Sequence, residues 1–319
     1  MSAYQSTLPR RTRPVSRADF EGDASLKIHR YPDYMPVRQS WVDVWNEFVP
    51  VEPAEVHAVF SRNFTGEVSA MAEIDRDCIT LHVEPAEKER FSASCEFLFG
   101  GTERMREAGS SLIVQEKLRG NGIGKEWLKS LVEISVALDK ESFNFQAGSV
   151  NGAYSWARMD VHVNMSAQLG PQRELQSRRM LARVDALKDF LPAADYRIAR
   201  ALCRMTDRED VARLARYEVP LSEDVGEVLK QANSPIYQKL EKFYEDHPSS
   251  AFEKKATAHG ERYAMMQAFE TAAAQGREPT LARCVLAGGM YPAVVNFSNA
   301  AQMEKIGKRV GGWTNIRPL

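Results

Sequence analysis

The pattern of apolar and polar residues changes along the chain and predicts three kinds of segment. A short helix is predicted first, from the helical spacing of Trp41, Val44, Trp45 and Phe48. Short runs rich in β-formers follow and predict an antiparallel meander with strands at Val56–Phe60, Glu67–Ile74, Cys78–Val83, Phe91–Phe99 and Ser111–Leu118. Good helix formers divided by prolines and polar caps then predict successive helices over 171–278. Strand-like texture returns at Leu281–Ala287 and Ala293–Phe297.

A glycine-rich turn joins the last strand of the meander to a helix. The β-branched run Leu112–Val114 leads into the turn Arg119–Gly124. The helix that follows has apolar residues at helical spacing, namely Trp127, Leu128, Leu131, Val132 and Leu138. The N–H groups at a helix N-terminus favour an anion, and glycines let the backbone approach it closely. Lys117 and Lys125 add positive charge beside the turn, so this segment predicts an anion site.

The spacing within the turn distinguishes among families of anion-binding loops. A Walker loop needs Ser or Thr after its Gly-Lys pair, but Glu126 follows here, and the dinucleotide fingerprint needs G-x-G-x-x-G rather than G-x-G-x-G. The segment resembles the acetyl-CoA pyrophosphate loop of the GNAT superfamily of N-acetyltransferases position by position: Val114-x-x-x-x-Arg119-Gly120-x-Gly122-Ile123-Gly124-x-x-x-Leu128. One position departs from the family pattern, because Glu116 stands where a proline is frequent.

The resemblance implies an α+β fold with a GNAT-like mixed, mostly antiparallel sheet that is flanked by helices and carries a large all-helical insertion. In the family, the strand after the loop helix, here Phe143–Ala147, splays from its neighbour, and the pantetheine arm of the cofactor lies between the two. A helix crossover joins these strands, so we expect them to be parallel. Two late strands are then expected to close the same sheet.

This reading divides the chain into four parts. They are a flexible basic arm at 1–30, an acyl-CoA-binding core at 31–165, a helical insertion at 166–279, and closing strands with a tail at 280–319. The alternative is that the helices form a separate tail domain to which the late strands belong. The first twenty residues of the basic arm contain four arginines and two prolines, and the arm is interpreted as an unstructured tail, with contact to an acidic partner or a delivery signal as alternatives.

The resemblance also implies which residues hold the cofactor and carry the chemistry. Acetyl-CoA, as acyl donor, is expected to contact Val114, Arg119, Gly120, Asn121, Gly122, Ile123, Gly124, Lys125, Ser149 and Asn151. In the family, a tyrosine on the next helix protonates the departing thiolate, and a carboxylate takes the proton of the amine. Tyr154 is the candidate acid, although Trp156 takes the family position, and Glu96 and Glu116 are the candidate bases.

Composition excludes several classes of function. The 319-residue chain is 44% hydrophobic and 27% charged, and its formal net charge of -1 gives no basic field for nucleic acid. No run of 18 apolar residues occurs, so no membrane span is predicted. The four cysteines lie far apart without zinc spacing, which favours free thiols in the cytoplasm and no metal site.

We therefore expect a cytoplasmic, acetyl-CoA-dependent N-acyltransferase that transfers an acyl group directly to an amine. The sequence leaves open whether that amine belongs to a small molecule or to a protein. The alternative is a GNAT scaffold that acts as a binding or structural module. In that case the helical insertion is expected to contact a protein partner.

Overall fold

The computed structural model has an α+β architecture, as the sequence predicts. It describes residues 2–21, 26–28, 40–75, 78–86, 91–99, 108–115, 118, 120–147, 152–229 and 258–319. The chain divides into two compact units, one formed by Met1–Phe145 with Val294–Leu319 and the other by Gln146–Ala293. The second unit is thus inserted between two segments of the first, and it extends over 146–293 rather than 166–279.

A five-stranded sheet forms the centre of the first unit. The first six strands of the chain are β1 (Tyr4–Ser6), β2 (Lys27–Ile28), β3 (Val68–Asp75), β4 (Cys78–Pro85), β5 (Phe91–Leu98) and β6 (Ala108–Val114). The sheet has the order β2-β3-β4-β5-β6, with β2 parallel to β3 and the other neighbours antiparallel. The mixed, mostly antiparallel character and the predicted meander from β3 to β6 are confirmed.

One face of this sheet is buried under three helices. The helices are α1 (Trp41–Phe48), α2 (Pro53–Asn63) and α3 (Ile123–Ala137). The first two contact β3, and α3 contacts both α2 and β6. Apolar side chains of alternate strand positions fill the space between, such as Leu81, Cys95 and Phe97. The stacked rings of Phe60 and Trp127, with centroids 5.9 Å apart, join α2 to α3.

The predicted helix around Trp41 is confirmed, but the predicted strand at Val56–Phe60 is wrong, because these residues lie within α2. Pro53 stands in the first turn of α2, where its missing N–H is not needed. The buried residues Val56, Val59, Phe60 and Asn63 follow helical spacing. A short apolar run fits a strand and a buried helix equally well, and here the proline start decides.

The segment interpreted as a flexible arm is part of the first unit up to residue 21. Strand β1 pairs antiparallel with Ile316–Pro318 near the C-terminus, and the side chains of Leu8, Val15 and Phe20 are buried. The arginines also make defined contacts, since Arg11 donates to the carbonyl of Val49 at 2.9 Å. The buried apolar residues of this segment account for the difference, because their burial favours an ordered path.

The second unit is largely helical. Its helices are α4 (Gly152–Arg158), α5 (Gly170–Ala186), α6 (Ala193–Leu202), α7 (Asp210–Arg216), α8 (Ala258–Ala274) and α9 (Leu281–Leu286), with a further helical stretch at 223–229. The buried Arg183 of α5 donates to the carbonyls of Val285, at 2.8 Å, and Ala287. These bonds satisfy carbonyls at the C-terminus of α9 that have no partner within their own helix. None of the described helices is long and apolar enough to cross a membrane.

The predicted strand at Leu281–Ala287 is wrong, because Leu281–Leu286 forms α9. Thr280 caps this helix, and its side-chain oxygen accepts the N–H of Arg283. The apolar residues of α9 are buried on every side of the helix. Their pattern therefore has no periodicity that could distinguish a helix from a strand.

The second late strand is confirmed, but it belongs to a different sheet from the one expected. The remaining strands are β7 (Ser142–Ala147), β8 (His162–Val163), β9 (Tyr291–Asn296) and β10 (Ile316–Pro318), and α10 (Ala300–Arg309) precedes β10. Strand β9 lies between β7 and β8 in a three-stranded sheet. In the described residues, β7 does not pair with β6, and β9 does not extend the sheet that contains β6.

A buried carboxylate joins three parts of the first unit. Glu133 of α3 is 0% exposed and accepts the side-chain N–H of Asn63 on α2 at 3.0 Å. It also accepts the backbone N–H groups of Thr314 and Asn315, at 2.6 and 3.2 Å, and the side-chain N–H of Asn315 at 2.6 Å. A buried charge is stable only when it is bonded in this way, so Glu133 fixes the C-terminal segment against α3.

Lys140 is a second buried charge. It is 1% exposed, and its Nζ donates to the carbonyl of Leu98 at 2.7 Å and lies 3.9 Å from the ring centroid of Phe99. Burial lowers the pKa of Lys140 to about 8, because the charged form is removed from water.

Replacing Glu133 should destabilise the first unit strongly. In Glu133→Gln, one acceptor oxygen becomes an N–H₂ group that faces existing donors, and we expect a loss of about 2–4 kcal/mol in the free energy of unfolding. Urea unfolding measures this loss. The control Glu304→Gln removes an exposed carboxylate that pairs with Lys308, and we expect a change below about 0.5 kcal/mol. Equal effects of the two variants would contradict the role of Glu133.

The lowered pKa of Lys140 predicts how the free energy of unfolding changes with pH. The unfolded chain keeps Lys140 protonated up to about pH 10.5, whereas the folded chain loses the proton near pH 8. Stability should therefore rise between pH 8 and 10.5 relative to Lys140→Met, by on the order of 3 kcal/mol. Taking the difference between the two proteins cancels the titration of other groups. A difference in unfolding free energy that stays constant over this pH range would show that the lysine is not perturbed.

Candidate cofactor site

Two glycines with left-handed backbone conformation turn the chain from β6 into α3. Gly120 and Gly122 have φ of 91° and 92°, a region that side chains with a Cβ disfavour. Gly122 is the N-cap of α3, and its carbonyl accepts the N–H of Lys125 at 2.7 Å. The N–H of Asn121 donates to the carbonyl of Leu118 at 3.4 Å and closes the turn. The predicted order of strand, glycine turn and helix is confirmed.

The first amides of α3, the N–H groups of Gly122, Ile123 and Gly124, have no backbone acceptor among the described residues. A Cβ placed on Gly122 or Gly124 would meet no described atom within 4 Å. The carboxylate of Glu126, in the first turn, accepts the hydroxyl of Thr65 at 2.6 Å. The helix dipole and these amides can bind an oxyanion at this place.

Those predicted cofactor contacts that the structure describes lie together, where β6 ends and α3 begins. Val114 is the last residue of β6, the glycines form the turn, and Lys125 is exposed in the first turn of α3. Four predicted residues lie outside the described residues, namely Glu116, Arg119, Ser149 and Asn151. Val114 pairs with Phe91, and both side chains lie on the face of the sheet that is directed at the core. Ile113 lies on the opposite face and is 67% exposed.

The structure separates the candidate base Glu96 from Val114. Glu96 is opposite Gly109, five residues before Val114, which corresponds to about 17 Å along the strand. The carboxylate is exposed on the polar face and accepts the thiol of Cys78 at 3.5 Å. A general base must be within hydrogen-bond reach of its proton, directly or through one water, so Glu96 does not fit this role.

The sequence analysis did not identify Glu84, a carboxylate that the strand register places nearer to the end of β6 than Glu96. Glu84 of β4 is exposed, pairs with Ser69, and follows Val83, which is opposite Ala93. Ala93 in turn is opposite Leu112. The neighbouring positions Glu84 and Ile113 therefore lie at the same level of the sheet on its polar face, separated by two strand spacings, or about 10 Å. No local signal in the sequence gives this position, because it depends on the pairing of three strands.

The candidate acid Tyr154 lies in the second unit, on α4, and is 6% exposed. Its hydroxyl donates to Oε1 of Glu218 at 2.8 Å and accepts Nη1 of Arg158 at 3.1 Å. Arg158 also forms an ion pair with Glu218. The phenol is therefore held by a carboxylate 64 residues away, a contact that the sequence did not indicate.

The described cysteines and other ligand side chains are the candidates for a metal centre. All four cysteines are free thiols, as predicted, and burial raises the pKa of the Cys284 thiol to about 12. Among the described residues, no three His, Cys, Asp or Glu side chains are grouped so that they could hold a metal ion.

Comparison of the chain with models of protein families, with curated proteins and with solved structures identifies no match. The functional interpretation therefore depends on the residues and on the geometry described above.

Proposed function

We propose that this chain is a GNAT-type N-acyltransferase that takes its acyl group from acetyl-CoA. The observation that carries the proposal is the left-handed Gly122 at the N-terminus of α3, shortly after β6, where three amides have no backbone acceptor among the described residues. The pyrophosphate of CoA is an anion of the kind that such amides bind. The match of Val114, the turn and Leu128 to the family spacing supports the same ligand.

The arrangement of strands gives a second argument. Helix α3 connects β6 to β7, yet these strands belong to different sheets. In GNAT enzymes the corresponding strands splay apart, and the pantetheine arm occupies the gap. The gap between β6 and β7 would take that arm here, with the thioester near Val114. This topology would also place the late strand β9 next to β7, as the strand order has it.

Direct transfer needs three groups besides the bound cofactor. A backbone N–H near Val114 would polarise the thioester carbonyl, and a carboxylate would take the proton of the attacking amine. Glu116, two residues beyond Val114, is the first candidate for that carboxylate, and Glu84 acting through water is the second. Tyr154 would return a proton to the departing thiolate, as a phenol can and an indole cannot.

One observation favours a second function, a binding module that keeps the scaffold without catalysis. The hydroxyl of Tyr154, the candidate acid, already donates to Glu218 within the second unit. Such a module would act through its helical unit on a protein partner. Release of the CoA thiol from acetyl-CoA in the presence of amines distinguishes the two functions, because only the enzyme releases it.

A single methyl group at the turn tests the cofactor site. Gly124→Ala adds a Cβ in open space at a φ that alanine tolerates, so the fold should keep or slightly gain stability. The same Cβ should hinder the approach of the pyrophosphate and weaken acetyl-CoA binding about tenfold or more, because bonds to a charged group contribute about 1.5–3 kcal/mol. Isothermal titration calorimetry measures the affinity.

The matched control is Gly170→Ala. Gly170 also begins a long helix, α5, and a Cβ added there also meets no atom within 4 Å. This variant should bind acetyl-CoA with wild-type affinity. If Gly124→Ala also binds with wild-type affinity, the cofactor is not at this turn.

A further inference from the structure

Two arginines of the second unit flank the ring of Tyr154. The guanidinium carbons of Arg158, on α4, and Arg283, on α9, lie 5.8 and 5.0 Å from the ring centroid. The chain around Glu218 runs beside the start of α9, because the N–H of Leu281 donates to the carbonyl of Val219 at 2.8 Å. Backbone pairing thus brings Glu218 and Arg283 to the same place although they are far apart in sequence.

Among the described residues, this cluster has two arginines and one carboxylate. Glu218 accepts hydrogen bonds from the hydroxyl of Tyr154 and from the guanidinium of Arg158. Its negative charge is therefore already paired with Arg158. Arg283 forms no ion pair with any described carboxylate, and its Nε is buried without an acceptor in the described part of the chain. The Nε–H of the second guanidinium is therefore a buried donor for which the described residues supply no acceptor.

An unsatisfied guanidinium in such a place needs an explanation. A buried donor without an acceptor costs about 1–3 kcal/mol, and native proteins hold few of them unless a water or an ion supplies the acceptor. The flat ring of Tyr154 restricts Arg283 on one side. A guanidinium held in this way presents a planar set of donors that matches the oxygens of a carboxylate or a phosphate.

We propose that Arg283, together with Arg158 and Tyr154, forms a binding site for the oxyanion group of a small molecule, a carboxylate or a phosphate. The anion accepts hydrogen bonds from Arg283, and Arg158, oriented by Glu218, adds a second positive charge. The ring of Tyr154 forms an apolar wall beside the anion. The site lies wholly within the second unit and shares only Tyr154 with the acyl transfer proposed above, so binding of an anion there is measured without acetyl-CoA.

A purely structural role of Arg283 makes a different prediction. The contact of a guanidinium with an aromatic ring stabilises a protein by about 0.5–1 kcal/mol at exposed sites. If this contact is the whole role of Arg283, replacing the arginine lowers the thermal midpoint, and the decrease is the same with and without an anion. A binding site instead makes the midpoint depend on the anion concentration, because a ligand that binds only the folded chain stabilises it by mass action.

The test is thermal unfolding of the full chain with sodium phosphate or sodium acetate, at an ionic strength held constant with sodium chloride. We expect one of these anions at about 20 mM to raise the midpoint by about 2 °C or more. The anion that does so identifies the ligand as a phosphate or a carboxylate. The shift should disappear in Arg283→Gln and should fall by at least half in Arg283→Lys, which keeps the charge but loses the planar donors.

Two controls separate this site from other anion sites. Arg197→Gln removes an exposed arginine of α6 that lies outside the cluster, and it should keep the full shift. Gly124→Ala removes the contribution of anion binding at the glycine turn, so the shift assigned to the cluster is the one that persists in this variant and is lost when Arg283→Gln is added. The proposal is overturned if neither anion shifts the wild-type midpoint, or if Arg283→Gln retains the shift.

Discussion

The buried carboxylate of Glu133 is the constraint on which the first unit depends. A charge that is removed from water must be bonded on every side, and Glu133 obtains its donors from Asn63 of α2 and from residues 314 and 315. These bonds hold the middle of α3 against α2 and the C-terminal segment. Since a helix is stiff over its 15 residues, its first turn and the glycine turn before it are held as well.

The parts of the fold with a clear period followed directly from the sequence. Strands β4 and β5 alternate between a buried and a polar face, and α1 has helical spacing with a capping box at Ser40. Two short apolar runs were assigned to the wrong kind of element, because α2 and α9 are buried and show the composition of strands. The pairing of β9 with β7 rather than with the larger sheet is a tertiary choice that no local pattern encodes.

In the candidate site, too, the local backbone followed from the sequence, whereas the surroundings of the side chains did not. Glycine spacing identified the turn, because the left-handed conformations of Gly120 and Gly122 need residues without a Cβ. The surroundings of the other candidates come from long-range contacts. Strand register moves Glu96 away from Val114 and brings Glu84 closer, and Tyr154 is held by Glu218. Such partners depend on how distant segments pack, so chemistry was harder to predict than the backbone of the turn.

The central claim is that the amides at the start of α3 bind the pyrophosphate of acetyl-CoA, and nuclear magnetic resonance of the ¹⁵N-labelled chain tests it most directly. On titration with acetyl-CoA, the amide protons of Gly122, Ile123 and Gly124 should show the largest changes and move downfield, because each gains a charged acceptor. Unchanged signals for these three amides at a saturating concentration, or larger changes elsewhere in the chain, would contradict the account.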